Sequence, residues 1–228
     1  MVAHTGRPVV IDMNHADASH ERGGAIVDTA DFEAAYKWGI RGVLHKATEG
    51  EHFRDPLYTE RRAKALAAGM LWGAYHFARP GDMGNQASTF LSAAGAGQGT
   101  GYTRYALDYE DPKLALWQAE AFLGIIHTAT GQRPWLYSGF LVREQTDRSD
   151  PGRVLSQYPL WLAEYSAAAK VPRPWQNWTL WQRSGDGEGP GPHDVPGIGM
   201  RQDVNYFDGS DDELRTAWLD LGAGSTVA

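Results

Sequence analysis

Asp108 and Glu110 stand two apart in the segment Tyr105-Ala-Leu-Asp-Tyr-Glu, a spacing at which two carboxyl groups can share one reaction. On a β-strand, residues i and i+2 leave the same face, with Cα atoms roughly 6.5 Å apart. Carboxylates held that close resist ionising together. One pKa rises, and that group keeps its proton near neutrality as a general acid while the other carries the charge. Hydrolysis of a glycosidic bond needs this division of labour. An Asp-x-Glu can equally be a solvated strand edge or a helix cap, and the motif alone does not choose. Its flanks do: Tyr105, Leu107 and Tyr109 make the alternating face apolar, leaving an acidic face opposite, and Asp111-Pro112 can cap the next helix without Glu110.

The same test extends along the chain, because in parallel barrels the reactive groups sit where strands end. Asp12 closes an apolar run at 8–12, Lys46 and then Glu49 one at 42–46, and His76 one at 71–77. Asp108 and Glu110 close 104–109, Tyr137 closes 134–137, and Glu164 and Gln182 end 159–164 and 178–182. Asp203 opens the final run, 202–207, so it reaches the same barrel end only if that strand is reversed. The Gly- and Pro-dominated stretch 184–199 permits the reversal, since an antiparallel neighbour needs no crossover helix.

Competing chemistries find less support. No His-x-His or His-Glu-x-x-His occurs, and His45 and His76 fall on different runs, so no metal and no cofactor is expected. His45 alternates with Lys46 and is expected to face the helix layer. Gly23-Gly24 and the 184–199 glycines lack the lysine and spacing of a phosphate loop, and Ser138-Gly139 lacks a Gly-x-Ser-x-Gly elbow.

The elements that must hold these groups alternate strand and helix over the first half, the pattern of βα units around a parallel sheet. Phe32, Ala35 and Tyr36 form a helix face ended by Gly39. Asp55 and Pro56 open a second helix that Gly69 stops, and a third carries Ala87, Phe90, Leu91 and Ala94. A fourth places Leu114, Trp117, Ala121, Phe122 and Ile125 on one inward face and ends at Gly131. Beyond residue 137 the helical pattern weakens, until Ser210-Asp-Asp-Glu213 forms a capping box for a last helix with Leu214, Trp218 and Leu221 inward. The fold class expected is α/β: an irregular TIM-like (β/α) barrel of eight strands with fewer helices, its last strand antiparallel.

No composition break divides the 228 residues, so one catalytic domain over 1–228 is expected, with its core at about 8–221. A net charge of −7, with no basic cluster among aromatics, argues against nucleic acid, and no apolar run approaches the roughly 20 residues of a membrane span. Nine Trp and ten Tyr supply rings suited to stacking on sugars, although core filling accounts for such rings as readily. The absence of Cys removes thiol chemistry and any redox argument for a compartment. The start lacks the apolar stretch of a signal peptide, so any export is expected to use another route or a leader already removed.

Taken in order, VIDMNHA near the start, HKATEG at 45–50, GAYHFARP at 73–80, ALDYED at 106–111, WLYSG at 135–139, LWLAEY at 160–165, LWQRS at 180–184 and DVNYFDG at 203–209 resemble glycoside hydrolase family 25. These are lysozymes that cleave peptidoglycan between N-acetylmuramic acid and N-acetylglucosamine. The resemblance implies bacterial peptidoglycan as partner, a monomer, action at the cell wall, and Glu110 as general acid/base; beside it, no separate wall-binding domain is expected, and the start without a leader suits a phage endolysin released through a membrane lesion or a mature form lacking its signal. It also implies Asp12, Asp108 and Asp203 as the remaining site acids, with Asp108 either the nucleophile or the group orienting an attacking acetamide. Lys46, Glu49, Tyr75, His76, Tyr137, Trp161, Glu164 and Gln182 would line the sugar cleft. Asn14, where the family more often has Ser, and His45, where an apolar residue is commoner, depart from the pattern. A non-catalytic glycan-binding barrel and a chitinase-like glycosidase are the alternatives.

Overall fold

The computed structural model describes residues 6–95, 102–147 and 154–219. Eight strands close a barrel in the order β1 (Val9–Met13), β4 (Ile40–Glu49), β6 (Leu71–Phe77), β7 (Thr103–Asp108), β8 (Trp135–Ser138), β9 (Leu160–Ala163), β10 (Leu180–Ser184) and β13 (Asp203–Phe207), with β13 returning to β1. Seven are parallel, and β13 is antiparallel to both its neighbours. The reversal follows from the chain between β10 and β13, which holds only the short hairpin β11 (Asp194–Val195) and β12 (Gly199–Met200) and no crossover helix.

Helices α1 (Phe32–Trp38), α2 (Tyr58–Ala67), α3 (Met83–Ala94), α4 (Leu116–Thr130) and α5 (Phe140–Asp147) connect the parallel strands up to β9, and α6 (Asp211–Trp218) follows the barrel. Local chemistry sets their ends. Asp31 and Asp82 cap α1 and α3 through bonds from Ala34 N and Asn85 N, and Ser210 and Glu213 form the reciprocal box that opens α6. Gly131 ends α4 in the left-handed conformation. No helix among the described residues is long and apolar enough to cross a membrane.

Several details differ from expectation. Asp55 does not cap α2, which begins at Tyr58; its buried carboxylate instead accepts Leu57 N and the ring of His15. Asp111 and Pro112 form a turn, bonded to Lys113 N, and leave α4 to start at Leu116. The inward face of α4 is Gln118, Ala119, Phe122, Leu123 and Ile126, while Trp117 is 62% exposed and Ile125 38%. The hairpin β2 (Ser19–Arg22) and β3 (Ala25–Asp28), the short β5 (Phe53–Arg54) beside β4, and α5 are additions. Leu221 lies outside the described residues.

Two apolar clusters follow from strand alternation. Tyr105, Leu107 and Tyr109 pack outward with Phe90, Phe122 and Leu123 against the helices. Inside the barrel, Val10, Leu44, Ala106, Trp135 and Leu180 meet Leu214 and Trp218 of α6, which plugs the end opposite the strands' C-termini. Trp218 donates to Trp72 O at 2.8 Å, and fully buried Arg104 holds Trp218 O in turn. Gly73 leaves room for this plug, since a Cβ there would run into Leu44 and press on Trp218. The polar strand ends stand at the opposite mouth of the barrel, where a cavity opens.

Candidate active site

Asp12 and Asp203 are paired across β1 and β13, so the reversed strand delivers Asp203 to the barrel end reached by Asp12 and Asp108. A cavity of about 270 Å³ opens there, lined by Asp12, Asp108, Glu110 and Asp203 together with Lys46, Tyr75, Tyr137 and Trp161. All four expected acids and four of the expected binding residues therefore share one space. Asp17 and Asp186, from loops on either side, bring the lining carboxylates to six against one lysine.

The floor of the cavity is a hydrogen-bonded frame. Gln182 Nε2 donates to both oxygens of Asp12 at 2.9 and 3.0 Å and to Asp203 Oδ2 at 3.3 Å, while its Oε1 accepts the Tyr137 hydroxyl at 2.6 Å. Asn205 Nδ2 donates to Asp12 Oδ1 at 2.7 Å, and Asn205 Oδ1 accepts Trp161 Nε1 at 2.6 Å. Gln182 thus holds the acids instead of lining the cavity. Asn205, absent from the expected set, shares its role. It lies two residues beyond Asp203 on the same strand face, a signal that was readable in the sequence.

The acids differ in environment. Burial pushes the Asp12 carboxyl well above the usual range, and the Asp203 charge adds to this, against the bonds from Asn205 and Gln182. Asp203 is raised to about 6, chiefly by burial, with the Asp186 N–H bond at 2.9 Å opposing. Asp108 is raised well above its ordinary value by burial and by Glu110, with Lys46 pulling the other way. Its Oδ1 is buried without a hydrogen-bond partner in the protein, and Asp108 is one of the residues lining the cavity. Glu110 stands past the end of β7 on the solvent side; the protein packed around its carboxyl raises its pKa, while Lys46 and Arg79 moderate the rise.

The other expected residues divide. Lys46 enters the cavity, with Nζ 3.0 Å from Glu49. Glu49 is the strut between Lys46 and Arg79, which reaches it at 2.7 and 2.9 Å; burial would raise its pKa, but these bonds outweigh that and lower it. It supports Lys46 from outside the cavity lining. His76 is a correction: strand parity turns Tyr75 inward and His76 outward, into the helix layer. There it bonds Thr48 at 2.7 Å and Gln86 at 2.9 Å and stacks on Phe122 at 4.7 Å. Burial lowers its pKa to about 4, leaving it neutral. His45 also faces outward, stacked on Trp72 and 3.2 Å from Arg61. Glu164 lies in a neighbouring groove, paired with Arg143 at 2.7 Å. Among the described residues no group of three or more His, Asp or Glu is arranged to hold a metal ion.

Two carboxyl groups at one strand end, with raised pKa values and a sugar-sized cavity between aromatic walls, can donate and accept a proton at a bond laid across them. The family profile described as Glycosyl hydrolases family 25 matches residues 23–192. The chain belongs to glycosyl hydrolase family 25. Among solved structures similar to this family 25 chain is a bacterial lysozyme from Streptomyces coelicolor, at TM-score 0.77 and 25% identity, covering 96% of this chain and 100% of that one. The uncharacterized protein YegX of Escherichia coli O157:H7 is 28% identical over 92% of this chain and 78% of its own length; the match covers 60% of YegX from strain K12. An N,O-diacetylmuramidase from Chalaropsis sp is 30% identical over 68% of this chain and 82% of its own length.

Proposed function

We propose that this family 25 glycosidase is a muramidase, acting at the bacterial cell wall on the β-1,4 bond between N-acetylmuramic acid and N-acetylglucosamine in peptidoglycan. The observation that carries the reading is the position of Glu110 on the rim shared by the acid-lined cavity and the groove beyond it. Similarity to a lysozyme and to an N,O-diacetylmuramidase supports the substrate class. The muramic ring occupies the cavity, its anomeric carbon over Asp108. Glu110 gives its proton to the glycosidic oxygen as the C1–O bond breaks. Asp108, or the substrate acetamide that Asp108 orients, closes on C1 from the opposite face. Glu110, now ionised, takes a proton from water as that water attacks C1 and breaks its bond to Asp108 or to the acetamide oxygen, and the configuration at C1 is retained. Asp12 and Asp203, fixed by Gln182 and Asn205, bind the sugar's polar groups, and Tyr75, Tyr137 and Trp161 pack against its ring.

The test is digestion of purified walls followed by borohydride reduction of the new ends. Muramitol is expected, and Glu110→Gln is expected to slow lysis by about 10²–10⁴-fold, the usual worth of a general acid. New reducing ends on N-acetylglucosamine, or full activity in Glu110→Gln, would overturn the assignment.

A further inference from the structure

Arg61 of α2 is fully buried, and three carbonyls of the loop that leads from β1 to β2 converge on its guanidinium: Asn14 O at 2.7 Å, Ala18 O at 3.3 Å, and Asp17 O. Ala18, at φ +46°, makes the turn that brings them together. Arg61 Nε donates to Asp28 Oδ1 at the end of β3, at 2.9 Å. His45, which stands where the family more often has an apolar residue, completes the set. Its Nδ1 donates to Lys46 O at 2.7 Å, since a carbonyl can only accept, and Nε2 of the neutral ring is then the acceptor 3.2 Å from Arg61 Nη1. Burial lowers the His45 pKa to about 4, which keeps the ring neutral. Arg61 thus ties the loop to β4 beside Lys46, and Asp17 and Lys46 both line the acid cavity. The guanidinium takes the Asp17 carbonyl and pairs with Asp28, so the Asp17 carboxylate is not drawn into an ion pair; its Oδ2 accepts Asn14 N at 2.8 Å, and a carboxylate can accept further bonds.

We infer that Asp17 is a further sugar-binding residue of the cavity and that Arg61, oriented by His45, is the positioning residue that holds it there. The inference rests on the muramidase reading and adds to it a residue outside the four acids. Arginine is required because its five N–H groups form a rigid fork that satisfies several buried carbonyls and Asp28 at once, whereas an ammonium carries three donors on a flexible stem. The Asp17 carboxylate accepts a hydroxyl of the bound sugar, a charge-assisted bond made alike in the bound substrate and in the transition state. Its loss therefore weakens binding and leaves the chemistry at Glu110 and Asp108 in place.

Initial rates on soluble uncrosslinked glycan chains separate this role from a structural one. Asp17→Ala and Arg61→Lys, the latter keeping a cation beside Asp28, are each expected to raise KM about tenfold with kcat within about twofold of wild type. His45→Leu removes only the contact that orients Arg61 and is expected to raise KM about threefold. In an Asp17→Ala background, neither Arg61→Lys nor His45→Leu should add more than about twofold, because both act through the missing carboxylate. If Arg61→Lys does not fold, His45→Leu carries the comparison alone. Effects that multiply in the double variants, or a kcat that falls with the folded fraction at unchanged KM, would overturn the inference. Wild-type protein inactive on the glycan would remove the muramidase reading, and the role of Asp17 with it.

Discussion

Replacing Asp203 by Asn should make this protein more stable at neutral pH, and the gain should be a titration curve. In the folded chain Asp203 titrates at about 6 against 3.8 for a free aspartate, because burial penalises its charge. The native state thus holds a proton between about pH 4 and 6 that the unfolded chain has released. Stability from this group is present in full below pH 4 and is lost as pH rises through 6. Each pH unit between the two values is worth about 1.4 kcal/mol, so the charge costs about 3 kcal/mol by pH 7. The amide that replaces the carboxyl in Asp203→Asn would carry no charge, would still accept the Asp186 N–H and would offer its own N–H to Asp12, losing only the long 3.3 Å bond from Gln182.

Urea unfolding of wild type and Asp203→Asn at intervals from pH 4 to 8 isolates the effect of Asp203 and its partner Asp12, because groups not coupled to them cancel in the difference. The variant should gain little at pH 4 and up to about 3 kcal/mol at pH 7.5, with the rise broadened because Asp12 and Asp203 titrate as a pair. Wall lysis should fall in the same variant, since a site that keeps a charge at such a cost uses it. A variant no more stable than wild type at pH 7.5, or a difference that does not grow between pH 4 and 6, refutes the reasoning.

Two further outcomes test the frame around the site. Arg61→Met should cost about 3–5 kcal/mol in urea unfolding, because fully buried Arg61 holds Asp28 at 2.9 Å and the carbonyls of Asn14, Asp17 and Ala18, which tie down one cavity loop. Trp117→Ser should change stability by less than about 0.5 kcal/mol, as befits a ring 62% exposed; a loss of several kcal/mol would mean that Trp117 packs inward after all.

The acids were legible because strand direction and side-chain parity are local properties. A carboxylate at the end of an apolar run reveals its place, and for Asp203 the helix-free 184–199 stretch reveals the reversal. His76 was misplaced where position at a strand end was weighed without parity: Tyr75 and Phe77 face the cavity, so the residue between them cannot. The face of α4 failed for a different reason. Trp117, Ala121 and Ile125 form one apolar stripe and Ala119, Phe122, Leu123 and Ile126 the next, so a helix apolar over most of its circumference does not specify which stripe goes in. What lay beyond the sequence is the control of charge. Asp12 is held by Gln182, 170 residues away, and by Asn205, and its proton affinity depends on Asp203 across the ladder. Parity brings reactive groups to one end of a barrel, but their protonation states belong to contacts that exist only once the barrel has closed.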